Sequence, residues 1–149
     1  MTEEPKKVAK KAPAKKTPYK APVSPAKITC EYGRKGSLWA AGYHTGVDYA
    51  ATQMQSVTAV ADGTVLAAYW GPAYGIHVVI QHGKYRYLYA HLAHRNSNIT
   101  PGTVVKQGQQ IGGAGSTGNA RGVHVHLEAR LAPYRYAIDT IDPTKALNS

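Results

Sequence analysis

The chain has 149 residues, enough for one domain of ordinary size, and a formal net charge of +10. Its single cysteine, Cys30, excludes an internal disulfide and any cysteine-cluster zinc site. No apolar stretch approaches the roughly 18 residues of a membrane span, and no apolar run of about 7 to 15 residues follows the N-terminal lysines to make a secretory signal, so the chain is expected to be synthesised as a soluble cytoplasmic protein.

Residues 1–27 hold eight lysines and two acids, filled out with Ala, Pro, Thr and Val, and account for +6 of the formal charge. Such a segment cannot bury enough apolar surface to offset its ordering entropy, and its like charges repel. It reads as a disordered arm suited to a polyanion such as an anionic cell wall or membrane surface, or as a solubilising linker. A nucleic-acid role for the arm, by its likeness in composition to linker-histone tails, would leave residues 28–149 unexplained, and no specific nucleic-acid partner is expected.

From residue 28 onward, short β-type runs are broken by glycine. Residues 57–70 place two such runs around Asp62-Gly63, a hairpin signal. Residues 76–83 and 85–92 are two more strands, with Gly83-Lys84 at the turn. Residues 101–118 alternate turns and short strands, and His124-Val125-His126-Leu127-Glu128-Ala129-Arg130 is a further strand. No segment of ten or more residues holds a 3.6-residue period. The fold class is therefore all-β, with antiparallel hairpins and glycine-rich loops that form the walls of a groove.

In the last of these strands, side chains alternate between faces, so His124, His126 and Glu128 share one side while Val123, Val125 and Leu127 take the other. Far upstream, His44 and Asp48 flank Gly46, which lets an imidazole and a carboxylate converge. His-x-x-x-Asp alone is weak evidence. Joined to His-x-His, it supplies nitrogen and oxygen donors of the kinds zinc takes, and three protein ligands leave a fourth position open for water, as catalytic sites require. Cys30 has nothing beside it in sequence to activate it and reads as a strand residue near the domain edge.

Residues 30–143 resemble the lysostaphin-type zinc metallopeptidases, a group of peptidoglycan endopeptidases. The resemblance rests on H-T-G-V-D at 44–48, A-V-A-D-G-T-V at 59–65, Y-A-H-L at 89–92, V-V-K-Q-G-Q-Q-I-G at 104–112, and G-S-T-G at 115–118 followed by H-V-H-L-E at 124–128. It implies one zinc ion (Zn2+) per chain, ligated by His44, Asp48 and His126, with His91 and His124 as unligated catalytic histidines beside the water. One of the pair would take the water's proton and the other would stabilise the oxyanion or protonate the leaving amine. The partner it implies is the peptide of bacterial peptidoglycan, cut in its stem or cross-bridge by a monomer. Without a signal or a wall-binding domain, the chain looks most like a small bacteriophage endolysin released through a holin-type pore, or a virion-associated lysin. A direct D-alanine–diaminopimelate cross-link is preferred over a glycine bridge as the bond cut.

Departures from the family pattern are small. Val125 and Leu127 replace a leucine-like residue and a large aromatic, and both keep the face apolar. Gln81 stands where an aspartate commonly precedes His-Gly, so His82 reads as a turn histidine, and His77 and His94, outside every motif, are read the same way. Glu128 either orients a ligand imidazole or is an exposed strand carboxylate paired with Arg130 or Arg86. Trp70, Tyr74 and Tyr43 are candidate surfaces for an extended peptide. A biotinyl- or lipoyl-type binding module would need a lysine at the hairpin tip, where Asp62-Gly63 stands. A catalytically inactive peptidase-like activator would have lost ligands, and all five histidine and aspartate positions are present.

Overall fold

A computed structural model describes residues 20–146. Among the described residues ten strands follow one another: β1 (Ile28–Cys30), β2 (Val47–Ala50), β3 (Ser56–Thr58), β4 (Gly63–Gly71), β5 (Gly75–His82), β6 (Tyr85–Arg95), β7 (Val104–Val105), β8 (Gln110–Ala114), β9 (His124–Arg130) and β10 (Thr140–Ile141). The one described helix is the short α1 (Pro143–Ala146), and no described helix is long and apolar enough to cross a membrane. The pairings are antiparallel, in the order β1-β2-β9-β6-β5-β4-β7, with β10 on β9 and with β8 joining β3 to β6. The all-β antiparallel class read from the sequence is the class observed.

The β5–β6 hairpin forms where the sequence places it. His82 pairs with Tyr85 across Gly83-Lys84, and Gly83 takes the left-handed backbone that such tight turns need. The hairpin expected around Asp62-Gly63 does not form. β3 pairs with β8, and β4 pairs with β5 and β7. Ala59, Val60 and Ala61, between β3 and β4, are themselves in the core, so apolar burial carries the chain from one pairing to another instead of folding it back. Asp62 supports that crossing by accepting a hydrogen bond from the Gln107 amide at 2.8 Å.

The folded domain begins earlier than composition suggests. Val23 is 2% exposed and belongs to the core, Pro22 O accepts from Thr58 N at 2.8 Å, and Lys27 O accepts from Ala50 N at 2.9 Å. Residues 20–27 thus pack on the domain, because one valine and the backbone around it find partners that a count of lysines cannot register. The remainder of the basic arm, residues 1–19, lies outside the described residues.

β9 lies between β2 and β6 near the middle of the sheet. Val125, Leu127 and Ala129 are fully buried on its core side with Val47, Tyr49, Tyr87 and Tyr89. Its other side carries His124, His126 and Glu128, as the alternation predicts. His77 and His94 are strand residues rather than turn residues. His77 is buried in β5 with its ring beside Tyr74, and His94 lies in β6. His82 ends β5 at the turn, where its Nδ1 donates to Asp62 O.

Candidate functional site

Register brings the distant motifs together. His126 on β9 pairs with Asp48 on β2 and with Ala90 on β6, which puts Asp48 beside His126 and His91 at the neighbouring strand position. His44 precedes β2, and its ring centroid lies 5.1 Å from that of His126. Gly46 permits the approach: a Cβ there would overlap Leu127 O and stand 2.8 Å from His126 Cε1. Its backbone is ordinary, so close packing rather than the bend expected from the sequence accounts for this glycine.

One carboxylate oxygen holds the centre. Asp48 Oδ1 lies 3.1 Å from His44 Nε2 and 2.9 Å from His126 Nδ1. The opposite nitrogen of each ring is tied down. His44 Nδ1 donates to Glu31 O at 3.0 Å, and His126 Nε2 donates to Glu128 Oε1 at 3.1 Å. A carbonyl can only accept, so His44 Nδ1 carries a proton, and Nε2, facing Asp48 Oδ1, offers its lone pair only where a cation takes the place of the proton between them.

The electrostatics here call for a cation. His126 is 6% exposed between two carboxylates. Burial alone would depress its pKa, but the hydrogen bonds and charges of Asp48 and Glu128 outweigh that and push it up to about 9. Asp48 is held well below the usual carboxylate range, its burial overcome by His126 and His44. In the chain alone a proton meets this need. Two imidazole nitrogens and a carboxylate oxygen are donors of the kinds a divalent metal takes, and the two rings are held from behind by Glu31 O and Glu128 Oε1.

Glu128 is one of those supports and not an exposed strand carboxylate. It is fully buried, and its Oε1 accepts from Thr45 Oγ1 at 2.8 Å and Tyr74 OH at 2.9 Å as well as from His126. Its Oε2 pairs with Arg130, whose Nε donates at 2.7 Å. Burial raises its pKa, but His126, Arg130 and Thr45 bring it down to about 2. Tyr74 is therefore engaged by Glu128 and stacks near His126, while Tyr43 OH donates to Ala137 O, so neither hydroxyl is free for a peptide. Trp70 is 63% exposed, beside Ala68, Ile76 and His94. Trp39 packs at 5.3 Å from the His44 ring, a contact the sequence analysis missed because no motif contains it.

His91 and His124 face each other across the other side of the site, ring centroids 4.9 Å apart. His91 Nδ1 donates to Thr117 O at 2.7 Å and His124 Nδ1 donates to Gly122 O at 3.1 Å. Each keeps Nε2 as an unprotonated acceptor in its neutral form. His124 Nε2 is 3.8 Å from Asp48 Oδ1. His91 has a left-handed backbone, φ 63°, where the β5–β6 register breaks between the Ile76–Leu92 and Val78–Tyr89 pairs. That irregularity turns its ring out of the strand alternation and toward His124. Burial, helped by the neighbouring histidines, holds its pKa down to about 4 against the Thr117 hydrogen bond.

Cys30 is nearer this centre than its place in the sequence implies. It pairs with Asp48 across the β1–β2 ladder, and its sulfur, a His44 ring nitrogen and an Asp48 oxygen all lie within 4.8 Å of one another. Burial and the Asp48 carboxylate push its thiol pKa up, against the pull of Arg34.

Residues 42–140 match the model of peptidase family M23. The chain belongs to peptidase family M23. Among relatives, the DD-carboxypeptidase/endopeptidase Mpg of Neisseria meningitidis serogroup B is 39% identical over 109 residues, 69% of this chain and 25% of that protein. The M23 chain thus spans about a quarter of the length of that relative, and 18% of an uncharacterised metalloprotease of Haemophilus influenzae that is 40% identical over 90 residues. In structure it is similar to the catalytic domain of lysostaphin from Staphylococcus simulans, with TM-score 0.74 and 28% identity, over 83% of this chain and 93% of that one. It is likewise similar to the catalytic domain of the prophage-encoded M23 protein EnpA from Enterococcus faecalis, with TM-score 0.70 and 29% identity, over 86% and 95%.

Proposed function

We propose that this M23 domain is a zinc-dependent endopeptidase that hydrolyses a peptide bond in the stem or cross-bridge of bacterial peptidoglycan. The observation that carries the reading is the five-residue arrangement: His44 and His126 against one oxygen of Asp48, and His91 and His124 beside them, each held on a carbonyl through Nδ1. His44, Asp48 and His126 would hold the ion. Zinc bound there supplies a Lewis acid for the scissile carbonyl and lowers the pKa of the attacking water. His91 and His124 do the proton work. Their Nδ1 atoms are fixed on carbonyls, so Nε2 of either ring is positioned to take a proton from the water and return it to the leaving amine. Burial keeps His91 neutral, and hence able to accept, at neutral pH.

The substrate class is inferred from the relatives, one a DD-carboxypeptidase/endopeptidase and another lysostaphin. A D-alanine–diaminopimelate cross-link is the preferred bond. The likeness to a prophage-encoded M23 protein supports a bacteriophage endolysin, bacteriolytic once released through a holin-type pore. The test is metal analysis joined to digestion of defined walls. One zinc per chain, loss of lysis in a chelator and new amino termini at diaminopimelate are expected. An active, zinc-free preparation would overturn the metal reading.

The basic arm is proposed to hold the enzyme near an anionic wall, an effect screened by salt. A chain beginning at Lys20 is expected to cleave a soluble muropeptide at the full-length rate but to clear intact walls more slowly at low salt, the two converging above about 0.3 M. Equal clearing at low salt would return the arm to a linker.

A further inference from the structure

The family match and the His/Asp site leave Cys30 without a task. β1 lies against β2, and the ladder pairs Cys30 with Asp48, so the two side chains leave the sheet on the same side. The register shifts between Ile28 and Cys30, an irregularity of the kind that re-aims a side chain. The result is a compact group of three different donors, the Cys30 sulfur, a His44 nitrogen and an Asp48 oxygen, mutually within 4.8 Å. His126 stands outside this group of three, with its Nδ1 2.9 Å from Asp48 Oδ1. An open cleft of about 580 Å³ along residues 28–34 leaves the half-buried sulfur within reach of solvent.

We propose that Cys30 is a fourth protein donor to the metal, closing the site at rest. This rests on the reading of a metal at His44, Asp48 and His126. Thiolate is a preferred zinc ligand, with a bond of about 2.3 Å against about 2.0 Å for nitrogen. Four protein ligands make a closed centre, whereas three leave a position for water. In the closed form the thiol has released its proton to solvent, the sulfur lone pair binds the ion and one water has left. Opening reverses each of these changes, and no oxidant or reductant is needed. The chain so disposed is poised rather than constantly open, and modification of the sulfur would lock it in the three-ligand form.

The test uses the full chain loaded with cobalt(II) in place of zinc. A near-ultraviolet sulfur-to-cobalt charge-transfer band is expected in the unmodified protein and absent from Cys30→Ser, which still binds one cobalt. Zinc affinity is expected to fall roughly 10- to 100-fold or more in Cys30→Ser, since even supporting residues produce losses of that size. Iodoacetamide should label Cys30 more slowly in the zinc-loaded than in the metal-free protein. One equivalent of cobalt bound with no band overturns the proposal, even if zinc slows labelling, and leaves the three-ligand site standing. Failure to bind cobalt at all removes both.

Discussion

The two sides of the site use histidine in opposite ways. Around Asp48, both nitrogens of His44 and of His126 are engaged, the rings are 2% and 6% exposed, and carboxylates surround them. Across from them, His91 and His124 are each hydrogen-bonded through Nδ1 alone, to the carbonyls of Thr117 and Gly122, with His124 Nε2 only 3.8 Å from Asp48 Oδ1. On the proposed mechanism the same side chain serves as a fixed donor where both ends are held and as a proton carrier where Nε2 makes no hydrogen bond. What separates the roles is the second partner, not the residue type or its burial, since His91 is only 8% exposed.

The largest test of this contrast is ligand loss. His44→Ala, Asp48→Ala and His126→Ala are each expected to lose zinc and wall lysis together, as read by elemental analysis and turbidity clearing. A variant that clears walls without metal would erase the distinction. On the other side, His91→Ala and His124→Ala are expected to keep one zinc and to lose roughly 10² to 10⁴ in rate, the size of a positioned acid or base. Near-full activity in either would remove that residue from the proton path. Smaller still is Glu128→Gln, which keeps the shape but weakens the hold on His126 Nε2. Zinc affinity should fall about 10- to 100-fold, and unchanged affinity would show that the carboxylate is only a packing partner of Arg130.

A pH experiment sharpens the contrast in the metal-free protein. His91 has its pKa lowered from 6.5 to about 4, so below 6.5 the unfolded chain takes up a proton that the native state does not. Stability should therefore fall from pH 6.5 toward 4, by on the order of 2–3 kcal/mol from this group. His126 has the opposite sign. Raised to about 9, it adds stability below pH 6.5 that is lost as pH rises through 9. Melting curves across both windows, with His91→Gln flattening only the acid limb, would verify the assignment; an unchanged acid limb in that variant would refute it.

Much of this site was legible in the sequence because it depends on alternation and spacing. His124 and His126 two apart on a strand must share a face, the His-x-x-x-Asp spacing offered His44 and Asp48, and the resemblance supplied His91 and the expected division into ligands and unligated histidines. The strand pairings were less so. Asp62-Gly63 carries a sound hairpin signal, yet Ala59, Val60 and Ala61 are worth more buried than folded back, and local turn chemistry does not report that. Glu128 shows the same limit. Nothing local distinguishes a solvated strand carboxylate from one enclosed by Thr45, Tyr74 and Arg130, which come from three separate parts of the chain. Cys30 looked inert because its neighbours, His44 and Asp48, become neighbours only through the β1–β2 register.

The left-handed backbone of His91 separates what evolution selects from what folding favours. A non-glycine residue at φ 63° has a strained main chain, by about 1–2 kcal/mol, whatever its side chain does. His91→Gly should thus be more stable than His91→Ala by about 1 kcal/mol, though both lack the imidazole and both should be equally slow. Drift under selection for stability alone would run toward glycine or asparagine at this position. On the proposed proton role of His91, a histidine maintained there would mark retained catalysis in a related chain, and its loss to glycine would mark one that keeps the fold after giving up the chemistry.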